Sequence, residues 1–128
     1  MYSGDNDTYM KTAYNGDYSV GGAIFMDGEN RSDFSDSHIL LYGHNMKDLS
    51  MFGKLKWYRD NGHYEGHQYF QIITPTGKDR YEIVSYRDYS VLSGIFNVVR
   101  DEGSESYKDV FDAVMEGARA FIIAVFYV

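Results

Sequence analysis

Cysteine is absent from this 128-residue chain. A disulfide, a thiolate metal site and a cysteine nucleophile are therefore all excluded. Proline occurs once and no low-complexity tract is visible, so nothing in the sequence predicts a linker between domains. Basic runs are missing as well, and the net charge of −7 argues against nucleic acid or an anionic membrane surface as the main partner.

Long apolar runs are also lacking. No stretch reaches the roughly 18 consecutive apolar residues of a membrane span, and the polar start MYSGDNDTYMK is unlike a signal peptide. The chain nevertheless has enough apolar residues for one packed core, since 44% are hydrophobic and 17% aromatic. We expect a single domain over residues 1–128, in which residues 1–18 form a frayed or peripheral lead-in segment. No motif predicts a cofactor.

The central pattern is a strand, a turn and a helix in HILLYGHNMKDLSMFGKLKWY at residues 38–58. Its apolar start predicts a central strand over residues 38–42, and Gly43 lets the backbone turn after it. His44 follows at the strand end, where rigid scaffolding often holds a functional side chain. Histidine suits proton transfer near neutral pH, although a lone histidine at such a place is more often structural. Apolar residues then recur at helical spacing and predict a helix over residues 48–58.

Further strands are predicted on both sides of this pattern. VGGAIFMD at residues 20–27 is a strand candidate whose glycine pair allows a bulge or close backbone packing. Residues 68–74 and 80–86 form the clearest hairpin of the chain, because the turn signal PTGK separates them. Residues 89–99 form another strand-rich stretch.

The C-terminal part predicts one helix and one strand. Apolar residues recur at helical spacing over residues 107–118, and the wholly apolar run at residues 120–128 favours a buried strand. Strands with few helices indicate an all-β fold, a barrel with peripheral helices. A barrel short of strands would leave an open edge, so we expect a homodimer or a swapped assembly.

Two long stretches resemble class B sortases. YGHNMKDLSMFGKLKWY resembles the segment around the catalytic histidine of that family, and YSVGGAIFMDGENRSDFSDSHILLYGHNM resembles it almost without gaps. The resemblance is clear over residues 14–86 and fainter to residue 118. Sortases are cysteine transpeptidases of Gram-positive surfaces that cut a C-terminal sorting signal and join the protein to a cell-wall amine. The resemblance implies a closed β-barrel.

The resemblance also implies three catalytic roles. In the family a cysteine attacks the peptide carbonyl, a histidine acts as acid or base, and an arginine stabilises the substrate or the developing oxyanion. His44 matches the family histidine within its full motif. Arg119 loosely fits the family arginine; the alternative is a cation at the end of a helix.

The cysteine and its strand, which reads like T-L-x-T-C in the family, are missing. Either that strand is lost and Arg119 opens the last strand, or the chain departs from the family within residues 107–118. In the first case the barrel lacks the cysteine strand, and in the second it lacks its last strand or strands. We also expect no cleavage of a sorting peptide, because the mechanism needs a thiolate.

The residues beside the histidine are candidates for substrate binding. The resemblance implies that Tyr42, Asn45 and Met46 border the substrate groove; the alternative is packing for Tyr42 and Met46 and a local turn bond for Asn45. It implies a sorting-signal peptide and a cell-wall amine as partners, at the extracellular face of the membrane or in the cell wall. Relatives of this type carry an N-terminal membrane anchor, so we expect this chain to be a fragment or an incomplete gene product.

Two other functions are open at this point. A degenerate barrel could bind a sorting peptide or another partner without catalysis. A metal-binding domain could use the histidines at positions 38, 44, 63 and 67. HYEGH places two histidines at i, i+4, but it is not a zinc-protease motif and its glycines argue against a helix. Solvated loop histidines are therefore preferred, and no metal is expected.

Overall fold

The computed structural model describes residues 1–60, 62–83, 86, 108 and 112. These residues form two antiparallel sheets of two strands each. Strand β1 (Phe25–Met26) pairs with β2 (Leu41–Tyr42), and β3 (Tyr69–Thr74) pairs with β4 (Gly77–Glu82). The described part of the chain thus has strands and few helices, and it does not close into the barrel expected from the sequence.

The helices of the described part are short. Of those over residues 1–83, two are 3₁₀ helices, at Thr8–Met10 and Gly53–Arg59, and one is a single α-helical turn, α1 (His63–Gly66). Among the described residues no helix has the length and apolar character needed to cross a membrane.

The central strand predicted over residues 38–42 is wrong for its first half. The Asn30 side chain replaces a neighbouring strand there: its Oδ1 accepts from the Leu40 backbone N–H at 2.9 Å, and its Nδ2 donates to the His38 carbonyl at 2.9 Å. Only Leu41–Tyr42 pair as β2. A side chain that satisfies the backbone of a buried segment removes the need for a ladder.

The strand predicted over residues 20–27 is likewise reduced to β1. Gly22 has a φ of 60°, and a Cβ there would collide with the carbonyl oxygens of Tyr9 and Met10. The expected close backbone packing at the glycine pair is therefore confirmed. The neighbour is the N-terminal segment rather than another strand, and Ala23 donates its N–H to the Tyr9 carbonyl at 3.0 Å.

The predicted helix over residues 48–58 is also wrong in its first half. Leu49 and Met51 have φ values of 69° and 50°, a left-handed conformation that an α-helix cannot contain. The chain turns back instead, and the Phe52 N–H donates to the His44 carbonyl at 3.0 Å. Helical structure starts only at Gly53 and is of the 3₁₀ type.

The hairpin is confirmed, with a shifted second strand. β3 agrees with the prediction over residues 68–74, but β4 begins at Gly77 rather than at residue 80. The reason is the turn, because Thr74 pairs directly with Gly77 and only two residues lie between them. Pro75 and Thr76 thus occupy the centre of a tight turn.

Three other predictions lie outside the described residues. They are the strand-rich stretch at 89–99, the helix at 107–118 and the apolar strand at 120–128. Within the second of these, Lys108 and Asp112 are described, and both are helical and exposed.

Candidate functional site

His44 lies two residues beyond β2, at the edge of a cavity. Gly43, between strand and histidine, is closely packed rather than in a turn: a Cβ at this position would lie 2.8 Å from Cδ2 of Phe52 and 3.1 Å from Cγ1 of Ile24. Both distances are shorter than ordinary van der Waals contact. The imidazole of His44 is half-buried and forms part of the cavity wall.

The cavity has a volume of about 270 Å³ and both apolar and polar walls. The end of β2 supplies one side, and the N-terminal segment supplies the other. Its lining residues are Asn6, Asp7, Met10, Phe25, Tyr42, Gly43 and His44. Apolar groups with a few convergent polar groups are the usual composition of a ligand site.

The N-terminal segment owes its shape to Asp5. Its Oδ1 accepts from the backbone N–H groups of Asp7 at 2.9 Å and Thr8 at 2.7 Å, and its Oδ2 accepts from the Thr8 hydroxyl at 2.8 Å. These bonds favour the carboxylate and lower the pKa of Asp5. The resulting turn leads into the helix Thr8–Met10, which brings Met10 to the cavity. Residues 1–18 are all exposed or half-buried, and Met10 is among the half-buried ones.

A buried carboxylate lies behind the cavity. Asp27 is 5% exposed, and its Oδ2 accepts from the Tyr42 hydroxyl at 2.7 Å and from Nδ2 of Asn6 at 3.0 Å. Its Oδ1 accepts from the Glu29 N–H at 2.8 Å. Burial of the Tyr42 phenol, its hydrogen bond to Asp27 and the charge of that carboxylate raise the pKa of Tyr42 well above its usual value.

The predicted site residues divide into three groups. Tyr42 and His44 line the same cavity. Asn45 is exposed, and the thioether of Met46 lies over Gly21, so neither belongs to the cavity wall. Arg119 lies outside the described residues.

The four histidines do not form a metal centre in the described part of the chain. His38 is 5% exposed in the core, whereas the rings of His63 and His67 stack on each other with centroids 4.0 Å apart. His63 starts the single turn of α1, whereas His67 follows it and is exposed. Within the described ranges no three or more of the histidines and carboxylates are grouped to hold a metal ion.

Several residues of the site were missed by the sequence reasoning. Asn6, Asp7 and Met10 were placed in a peripheral segment, and Asp27 was taken only as the end of a strand. A usable signal was the acid directly after the apolar pair Phe25–Met26, because a charged residue at the end of a buried strand needs partners. The sequence does not show which groups donate to Asp27, because Asn6 and Tyr42 reach it only in the folded chain.

Comparison with known proteins shows relatives of the chain by sequence and by fold. No family model matches the chain. Sortase B of Listeria monocytogenes is 33% identical over 98 residues, which are 77% of this chain and 39% of that protein. A solved Bacillus anthracis protein, described as similar to sortase B, aligns with 98% of this chain and 58% of its own, at a TM-score of 0.76 and 28% identity.

A further solved structure supports the fold alone. The Staphylococcus aureus sortase B–substrate complex aligns with a TM-score of 0.83 at 21% identity, over 98% of this chain and 58% of that one. The chain thus spans well under half of the curated relative's length and somewhat more than half of these solved chains. By sequence and by fold, it is a homologue of sortase B.

Proposed function

We propose that this domain binds a sorting-signal peptide in the cavity beside His44 and does not cleave it. The observation that carries the proposal is the shared cavity of His44 and Tyr42. The resemblance to class B sortases implies that both border the substrate groove. A volume of about 270 Å³ is just below the range of about 300–1,000 Å³ typical of small-molecule pockets. It suits one or two side chains of a peptide whose remainder extends over the surface.

The chemistry of the walls supports a peptide ligand. Met10 and Phe25 offer apolar contact, while the carboxylate of Asp7 and the imidazole of His44 offer polar contacts at the rim. A bound peptide needs both kinds of contact, because its backbone and polar side chains must keep hydrogen bonds as they leave water.

Cleavage is not expected from the 128-residue chain. The family reaction forms a bond from a cysteine sulfur to the peptide carbonyl carbon, and the chain contains no cysteine. His44 keeps the place of the acid or base but has no thiol to deprotonate. Serine is a far weaker nucleophile without an aligned base, and no serine lies in a matching motif.

The resemblance to class B sortases supports further proposals about the groove, the arginine and the acceptor amine. The groove extends along Asn45 and Met46, Arg119 is the family arginine, and a cell-wall amine is the acceptor in active relatives. We also retain a single domain with a sortase-like barrel that is short of strands, a cell-surface or cell-wall location, and a homodimer formed through the open sheet edge.

The test is a binding measurement paired with a cleavage assay. The probe is a fluorescein-labelled copy of the substrate held in the Staphylococcus aureus complex, beside a positional library of labelled pentapeptides. We expect saturable anisotropy changes, weakened about tenfold or more in Tyr42→Ala, which corresponds to at least about 1.4 kcal/mol. Ile73→Ala is the matched control, because Ile73 is 75% exposed on β3 and does not line the cavity.

Two results would overturn the proposal. Absence of saturable binding by any peptide pool would remove the binding function. Peptide fragments detected by mass spectrometry, and lost in His44→Ala, would show that another side chain acts as nucleophile.

A further inference from the structure

The carboxylate of Asp27 connects the two sides of the cavity without lining it. Tyr42, which donates to it at 2.7 Å, belongs to β2; Asn6, which donates at 3.0 Å, belongs to the N-terminal segment. Both donors line the cavity. Asn6 is held a second time, because its Oδ1 accepts from the Gly28 N–H at 2.7 Å. One buried carboxylate thus joins two elements that are far apart in sequence.

The chemistry of these bonds requires an acid at position 27. Oδ2 accepts two bonds and Oδ1 accepts a third from the Glu29 N–H at 2.8 Å, so both oxygens face donors. A carboxylate can accept all three, and bonds to a charged acceptor are short and strong. An asparagine of the same shape would turn an NH₂ group towards at least one of these donors. It would therefore lose at least one bond.

We propose that Asp27 is a positioning residue, which fastens the N-terminal wall to β2 and fixes the Tyr42 side chain at the cavity. The proposal rests on the peptide-binding function for its effect on affinity. It also has a consequence for Tyr42, whose only hydroxyl proton is directed to Asp27. Towards a ligand, that hydroxyl oxygen can then only accept a hydrogen bond.

The pKa of the Tyr42 phenol reports directly on the contact between Tyr42 and Asp27. Its raised pKa has burial as the largest cause, followed by the bond to Asp27 and the charge of Asp27. Replacing Asp27 by asparagine removes the carboxylate charge and keeps the side-chain shape, so it should lower the pKa of Tyr42 towards its ordinary value. A residue that merely stabilised the fold at a distance would not move it.

The decisive variant is Asp27→Asn, with Asp36→Asn as its matched control. Asp36 is 6% exposed and accepts from Nδ2 of Asn30 at 2.8 Å and from the Arg31 N–H at 2.7 Å, away from the cavity wall. Three quantities are measured in each: the Tyr42 pKa by NMR of ¹³Cζ-labelled tyrosine, amide exchange over residues 6–10, and affinity for the labelled peptide. Tyr42→Phe assigns the resonance.

We expect Asp27→Asn to lower the pKa of Tyr42, to accelerate amide exchange in the N-terminal segment about tenfold and to weaken peptide binding by a similar factor. Asp36→Asn should lower stability but leave all three quantities as in the wild type. If Asp27→Asn does not fold, Asn6→Ala is the second variant. It removes the bonds of Asn6 to both Asp27 and Gly28, and it should accelerate exchange in the N-terminal segment while leaving the Tyr42–Asp27 bond in place.

The outcomes separate this inference from the proposed function. An unchanged Tyr42 pKa in Asp27→Asn together with unchanged exchange in Asn6→Ala would overturn the fastening role. Faster exchange with unchanged peptide affinity would overturn the role in binding. If the wild-type chain binds no peptide, the proposed function fails. The pKa and exchange data then still decide whether Asp27 fastens the wall.

Discussion

The β3–β4 hairpin and residues 21–43 differ in how they are held. The hairpin has the longest regular strands of the described part, yet none of its residues is buried. Residues 21–43 contain only two strands of two residues each, yet every buried described residue except Gly53 lies there. Regular secondary structure and burial are therefore separated in the part of the chain that the structure describes. The candidate site is built on the irregular, buried part.

Polar side chains explain the difference. In residues 21–43 the carboxylates and amides of Asp27, Asn30 and Asp36 bind backbone or side-chain donors from inside the core. In the hairpin the backbone ladder supplies the bonds, and side chains add contacts across the strands. Buried polar networks fix one arrangement when fully satisfied and are costly when one member is lost. Substitutions should thus have large effects in residues 21–43 and small effects in the hairpin.

The largest effect is expected for Leu40→Ala. Leu40 is completely buried, and truncation leaves a cavity in a small core, so we expect a loss of about 3 kcal/mol in the free energy of unfolding. Urea unfolding followed by circular dichroism measures it. Ile73→Ala, at a position 75% exposed, is the control and should change stability by less than about 0.5 kcal/mol. Equal losses of stability in Leu40→Ala and Ile73→Ala would contradict the proposed difference between residues 21–43 and the hairpin.

A somewhat smaller loss is expected for Asn30→Ala. Asn30 is 2% exposed, and its loss leaves the Leu40 N–H, the His38 carbonyl and Asp36 each short of one bond in the core. The expected destabilisation is about 2 kcal/mol. Gln71→Ala removes an exposed amide from β3 and is the matched control. Should Asn30→Ala unfold at the wild-type urea midpoint, the side chain would not replace a strand as described.

These two substitutions also indicate what a sequence can reveal. The hairpin was predictable because a turn signal and alternating strands are local patterns, and the motif around His44 was recognisable by resemblance. The role of Asn30 was not predictable, since its partners include Leu40, ten residues further on, and nothing local marks it. Asn6 and Asp27 are 21 residues apart and meet only in the folded chain. The left-handed residues Leu49 and Met51 carry no glycine signal either.

Tyr42→Phe is expected to have a moderate effect on how the free energy of unfolding changes at alkaline pH. The pKa of Tyr42 is raised in the folded chain, so its contribution to stability is fully present below about pH 10 and is lost as the pH rises towards the folded-state value. Between about pH 9 and about pH 11, a range that brackets the pKa of about 10 of an unfolded tyrosine, the free energy of unfolding should therefore fall less in Tyr42→Phe than in the wild type. Burial also raises the pKa values of Tyr58 and Tyr81, so the difference between the two proteins is the relevant quantity. Parallel pH profiles would contradict the Tyr42–Asp27 bond.

The smallest effect is expected within the hairpin. The guanidinium of Arg80 lies 3.8 Å from the centre of the Tyr69 ring, a cation–π contact on an exposed face. Arg80→Ala should cost about 0.5 kcal/mol, and the loss should show in amide exchange of the hairpin alone. Lys78→Ala, on the same strand and opposite Ile73, is the control. A loss as large as that of Asn30→Ala would show that the hairpin is coupled to the core.

The most direct test of the account is a titration of the ¹⁵N-labelled chain with the unlabelled Staphylococcus aureus substrate peptide, with the peptide mass recorded at the end. We expect chemical-shift changes centred on Asn6, Met10, Tyr42 and His44, which line the cavity, and a peptide of unchanged mass. Shifts confined to the hairpin, or a cleaved peptide, would contradict binding without cleavage at the His44 cavity.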